Sequence, residues 1–276
     1  MESRIAQALE VEHPPVAVLF ADDKPEGAMQ FAPGKWGCVM WLLATAAKGR
    51  PAVADRETFG CIGGGVGLGF GNQYESWPGG VECFHRFLST GIEGWDKGAE
   101  IADQVRPHLR RESFEELLHG ERYVKSPDLV RRFVDTLPFF EIPTSYVVFK
   151  PLEGIGPNER PETIVFLVDP DRLSALVVLA NYSRDGCDNV VIPFAAGCQT
   201  VGIFPYREAR DVAPKAVVGL TDLSARRYIG DQLGGNLMSF AVPFGLFEAM
   251  EADVEGSFLE RPTWQTLLER RRGSKT

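Results

Sequence analysis

The chain has 276 residues, 29 Lys and Arg against 38 Asp and Glu, a formal net charge of −9, and 44% hydrophobic residues. That length can bury one large core or two modest ones, and an acidic excess with no basic stripe to offset it argues against a nucleic-acid surface. No apolar run reaches the roughly 20 residues needed to cross a bilayer, and Met1-Glu2-Ser3-Arg4 opens no signal-peptide core, so a cytoplasmic location is expected.

In chain order, Ile5 to Leu9 reads as a short helix, and Pro14-Pro15 hands over to a strand over Val16–Phe20, an apolar run bounded by turn residues. Trp36-Gly37-Cys38 opens Val39 to Ala47, an apolar helix too short for a membrane and therefore expected to be buried, ending at Gly49 with Pro51 beyond. Pro51–Ala54 is a short strand. Val81 to Leu88 is a helix carrying Cys83 and His85, and the charged stretch from Gly91 to Gly120 is helical in pattern. His108 and His119 lie there without an evident partner and are expected at the surface. Ser126-Pro127-Asp128 starts a further helix with proline at its first position.

Past Pro138–Thr144, strands are expected at Tyr146–Phe149, Thr163–Val168, Val190–Ile192, Ala216–Leu220 and Met238–Val242. Helices follow Asp169-Pro170, Asp222 (as a cap) and Pro243. The basic cluster Arg270-Arg271-Arg272, with Lys275, reads as a solvated tail. Apolar runs alternating with helices predict an α/β or α+β protein of mixed sheets covered by helices. Residues 1–137 and 138–276 form two candidate halves that can pack as one domain.

Between Phe59 and Asn72 lie seven of the chain's 29 glycines. Each glycine weakens a helix or strand by roughly 0.5–1 kcal/mol, so the run is expected to form a turn or loop. Such a loop either lets two elements pack closely or brings backbone to a bound group. The dinucleotide fingerprint and the P-loop are both absent; a backbone cradle for an anion over Gly63–Gly71 remains a reading of this stretch.

Five cysteines in a chain with no export signal predict no disulfide framework. Four follow a glycine directly: Gly37-Cys38, Gly60-Cys61, Gly186-Cys187 and Gly197-Cys198. The surroundings of Cys61 and Cys198, a helix, a short strand, then Gly-Cys, suggest a diverged internal duplication. A thiol where a helix begins meets unpaired N–H groups and the positive end of the dipole, which favour thiolate. Glycine beside it leaves room for an inorganic cluster. Cys187 lies among carboxylates that oppose a thiolate and is left out. No C-x-x-C, G-x-S-x-G or H-E-x-x-H occurs, and the four histidines support no triad.

Pro14-Pro15-Val16-Ala17-Val18, Trp36-Gly37-Cys38, Phe59-Gly60-Cys61 with its glycine run, Pro193-Phe194-Ala195-Ala196-Gly197-Cys198 and Ala241-Val242-Pro243 together resemble the domain-of-unknown-function family one-six-nine. Its members are found largely in anaerobic bacteria and archaea, and no activity is attached to it. The resemblance implies that Cys38, Cys61 and Cys198 belong to one site.

The expectation is a protein binding an iron–sulfur cluster or another thiophilic metal, because soft thiolates select such metals. Cys38, Cys61 and Cys198 are the candidate ligands, with Cys83 as a fourth. Gly60, Gly63, Gly64, Gly65 and Gly197 are expected to line the cofactor. A redox partner or small molecule, and a homo-oligomer, are the partners such a protein admits. The alternatives are a module holding a small anion in the Gly63–Gly71 loop and an enzyme with Cys61 as nucleophile.

Overall fold

Every strand expected from an apolar run forms, and all join one seven-stranded sheet in a computed structural model that describes residues 1–274. The elements of the first part are α1 (Arg4–Leu9), β1 (Val16–Ala21), α2 (Val39–Ala47), β2 (Ala52–Ala54) and α3 (Ile62–Leu68). Four helices follow: α4 (Val81–Phe87), α5 (Gly98–Val105), α6 (Arg111–His119) and α7 (Pro127–Val134). Then come β3 (Tyr146–Pro151), β4 (Thr163–Val168), α8 (Pro170–Asn181), β5 (Val190–Val191), α9 (Gly197–Val201) and α10 (Ile203–Glu208). The chain continues through β6 (Ala216–Gly219), α11 (Leu223–Leu233), β7 (Met238–Pro243), α12 (Phe244–Ala252) and α13 (Pro262–Ser274).

The strand order is β2-β3-β1-β4-β7-β6-β5, antiparallel throughout except for the parallel β5–β6 pair at one edge. The architecture is therefore a mixed α/β one. By compactness the chain divides into Met1–Phe70 with the segment from Phe140 on, which holds the whole sheet, and Gly71–Phe139, which is helical. Among the described residues no helix is long and apolar enough to cross a membrane.

Strand side chains alternate between two covered faces. Ile164, Phe166 and Val168 of β4, with Phe240 and Val242 of β7, join Ile5, Leu176, Phe247, Trp264 and Leu268 in the main apolar core. That face is covered by α1, α8, α12 and α13. Helix α2 packs on β1 and β3 while α9 and α10 pack on β6 and β7. Both faces are buried, which is why the strands read as unbroken apolar runs rather than as alternating ones. Seven of the nine residues of α2 are buried, as its composition requires, and it closes on Gly49 at φ +94°, the left-handed position glycine fills without strain.

Three expectations need correction. Ile62–Leu68 of the glycine run is a helix, not a loop; the physical reason emerges with the site. Arg271 is not part of a solvated tail: α13 carries it to the buried carboxylate of Asp169, and Arg272 pairs with Glu10. Lys275 lies outside the described residues. His119 is at the surface, but its two ring nitrogens lie 3.4 Å from Glu93 and 3.4 Å from Glu115, so it has partners on α6 and on the loop between α4 and α5.

In the smaller unit, Ile92, Ile101, Phe114 and Leu117 pack around Cys83. Ser126 caps α7, its Oγ accepting from Leu129 N at 3.4 Å with Pro127 at the first helical position. The Ser126→Ala variant should lose about 0.5–1 kcal/mol in urea unfolding, whereas the cap's neutral replacement Ser126→Asp should hold stability.

Candidate functional site

Three of the four Gly-Cys pairs are built into helix starts, and the glycines show why. A Cβ on Gly37 would stand 2.5 Å from the Phe31 ring, one on Gly60 2.4 Å from Gly37 O, and one on Gly197 2.7 Å from the Ala225 Cβ. Gly60 also sits at φ +83°. Each glycine thus lets its cysteine-bearing segment close on a neighbour, and the Gly37 and Gly60 segments touch directly. Gly186, before Cys187, meets nothing nearer than Asp188 at 3.6 Å. It serves an exposed turn, and Cys187 is exposed with it.

Cys38 is the N-cap residue of α2 and Cys61 the N-cap residue of α3. Cys198 is the second residue of α9. The Cys61 Sγ accepts from Gly64 N at 3.2 Å, and the Cys198 Sγ donates to Gly63 O at 3.1 Å. Cys38 and Cys61 are half-buried, Cys198 almost fully buried.

The glycine run is helical because α9 lies directly on it. A Cβ on Gly67 would be 2.7 Å from the Cys198 Sγ, one on Gly64 2.6 Å from Phe59 O, and one on Gly202 2.0 Å from Gly67 O. Backbone contact at this range exists only without side chains, and the packing of α3 on α9 offsets the helix-weakening cost of the glycines. Gly64 N is spent on the Cys61 sulfur and Gly65 N on Cys61 O, so these amides are not a free anion cradle. Gly63 faces open space.

The thiols do not have the depressed pKa expected at helix starts. Burial pushes Cys38 up to about 12, with the charge of Cys61 adding to it and the Met40 N–H opposing. Burial likewise raises Cys61 against the pull of Gly64 N–H. Cys198 goes well above the ordinary thiol value through burial, then through the charges of Cys61 and Cys38. Desolvation outweighs the helix-terminal amides. An ionised Cys61 would thus oppose ionisation of Cys38 and Cys198, and an ionised Cys38 that of Cys198. Among the described residues, however, no three His, Cys, Asp or Glu side chains are grouped so as to hold a metal ion as they stand.

A residue that spacing did not single out for the site is Asp222. As N-cap of α11 it accepts from Ser224 N and Ala225 N, and its other oxygen accepts from Gly197 N at 3.2 Å. It ties the start of α11 to the start of α9, and its charge raises all three thiols. Its cap signature was visible in sequence; its second bond, 25 residues back, was not.

The rim is apolar. Trp36, two residues before Cys38, is 52% exposed and packs edge-on against Trp41 and Tyr228 at 5.5 and 5.3 Å. Phe194 and Leu223, which precede Cys198 and follow Asp222, are also exposed. Cys83 belongs to the smaller unit, where it is wholly buried and its thiol is pushed up to about 11 by burial. His85 is buried beside it on α4, and burial lowers its pKa.

A protein-family model for a group described as uncharacterised ArCR matches residues 4–253 of the chain. No curated protein and no solved structure matches it.

Proposed function

The chain belongs to the DUF169 family, and from that premise we propose that it binds an iron–sulfur cluster or another thiophilic metal through Cys38, Cys61 and Cys198. The observation that carries the reading is geometric: three thiols sit at three separate helix starts that meet, with Cys198 Sγ on Gly63 O beside Cys61 and Gly60 closed on Gly37 beside Cys38. The raised pKa values keep these sulfurs protonated at neutral pH. A buried protonated thiol is a poor nucleophile, which weighs against Cys61 as an attacking group. A soft cation acts the other way, because a coordinating thiol is deprotonated outright and metal binding releases its proton.

In this reading the three sulfurs draw in to about 2.3 Å from a metal such as zinc or iron. The α3 and α9 backbones, already in contact, hold Cys61 and Cys198 for that step. Gly60 and Gly197 keep the approach clear of side chains. Three protein thiolates leave one position of a four-coordinate metal open to a non-cysteine ligand.

The test is metal analysis and a visible spectrum of protein purified without oxygen. The wild-type chain should carry metal. Cys61→Ser and Cys198→Ser should lose it, and Cys187→Ser, on an exposed turn, should keep it. Metal occupancy should fall as pH is lowered, since protons compete for sulfurs whose pKa lies above the ordinary value. A colourless, metal-free wild-type protein that takes up neither iron with sulfide nor zinc under reducing conditions defeats the reading.

A further inference from the structure

Away from the thiols, the C-terminal end of α8 and the side of α12 form the walls of an open groove of about 500 Å³, which Val212, Ala213 and Pro214 also line. Its floor and walls are largely apolar, with Leu179, Leu246 and Met250 facing it. The walls are tied at two points. Ser183 Oγ donates to Asp253 Oδ2 at 2.5 Å, and Tyr182 OH donates to Gly256 O at 3.0 Å.

Into this groove comes Arg184, whose Nη1 is buried and has no hydrogen-bond partner. A buried guanidinium nitrogen left unpaired is costly, and native structures rarely keep one without a reason. The nearby carboxylates do not supply the bond. Asp253 is engaged by Ser183, Asp188 is paired with Lys215 at 2.7 Å, and Asp185 is exposed. The Arg184 charge is felt by Asp188, but its Nη1 has no hydrogen bond, so the groove offers one unpaired guanidinium nitrogen, two carboxylates at its edge (Asp185 and Asp253) and an apolar body.

We propose that this groove binds a small zwitterion with an apolar body, of the size and chemistry of an apolar dipeptide. The ligand carboxylate would complete the Arg184 guanidinium in the charge-assisted geometry that arginine favours. The ligand ammonium would answer Asp253 and Asp185, and its side chains would cover Leu246 and Met250. A simple carboxylate would meet those two acidic groups uncompensated, and a simple amine would leave Arg184 Nη1 without a hydrogen bond. The volume falls within the range of small-molecule sites.

Calorimetric titration of the full chain with leucyl-leucine tests this. Binding is expected at millimolar concentration or tighter. Blocking either end, as N-acetyl-leucyl-leucine or as leucyl-leucine amide, should weaken it about tenfold or more. Arg184→Gln should weaken leucyl-leucine by a similar factor while leaving the amide unchanged, since the lost partner is the same. Val212→Asp, at a fully exposed loop position that cannot disturb the core, should also weaken binding, with thermal unfolding of both variants matching wild type. No heat up to roughly 10 mM leucyl-leucine, or equal affinity for the blocked and free forms, overturns the proposal.

Discussion

Replacing Gly67 by alanine should destabilise the protein by about 1–3 kcal/mol in denaturant unfolding, the range for forcing atoms into a filled core. The added Cβ would sit 2.7 Å from both the carbonyl carbon and the sulfur of Cys198. Neither can retreat cheaply, because α9 is held on its far side by β6 and β7. Gly202, whose own Cβ would stand 2.0 Å from Gly67 O, guards the same crossing from the other helix. The control lies in the same helix. Gly63 meets nothing within 4 Å, so Gly63→Ala should be neutral or gain up to about 1 kcal/mol from reduced backbone freedom in the unfolded chain. Opposite signs for two glycines four residues apart would establish that α3 keeps Gly67 for contact with α9. Equal losses would show that any side chain in this helix is disfavoured and would remove the packing explanation.

The Asp169→Ala variant should lose about 3–5 kcal/mol, the cost of leaving a buried charge without its partner. Asp169 caps α8 by accepting from Asp171 N at 3.0 Å and Arg172 N at 3.2 Å, and it pairs with the guanidinium groups of Arg172 and Arg271. Arg172 is 5% exposed and also donates from Nε to Leu9 O at 2.8 Å, so without Asp169 it remains buried and charged. The pH dependence follows with a definite sign. Burial alone would raise the Asp169 carboxyl, but the hydrogen bonds from Arg271 and Arg172 outweigh it and leave the folded-state pKa below the ordinary 3.8. Its stabilising contribution is therefore complete above that ordinary value and is lost as pH falls through the lowered one. Asp169→Asn should flatten that part of the stability–pH curve. A variant with an unchanged acid limb would show that the triad titrates with no net effect on folding.

The two variants separate two kinds of legibility. Asp169 before Pro170 reads as a helix start directly from the chain, and so do Ser126-Pro127 and Asp222. Capping is local, and its partners lie within three residues. The second bonds of these groups are not local. Arg271 reaches Asp169 across 102 residues and Gly197 N reaches Asp222 across 25, which no spacing rule could reveal. The basic triplet near the C-terminus looked solvated for that reason.

The sequence by itself determined the strands, the buried α2 and the mixed α/β class, because continuous apolar runs of strand or helix length can only be buried on both sides. It also marked Cys38, Cys61 and Cys198 through their preceding glycines, although Gly186-Cys187 carries the same dipeptide. Only the tertiary structure decided which of these glycines face a neighbouring segment and which merely turn at the surface. It decided as well that the glycine run is a helix, since a helix so poor in side chains persists only where another backbone, here α9 some 135 residues away, fills the space they leave. The ionisation of the thiols was settled at the same level: desolvation depends on what packs around a sulfur, and that burial overrides the helix-start amides which the sequence could see.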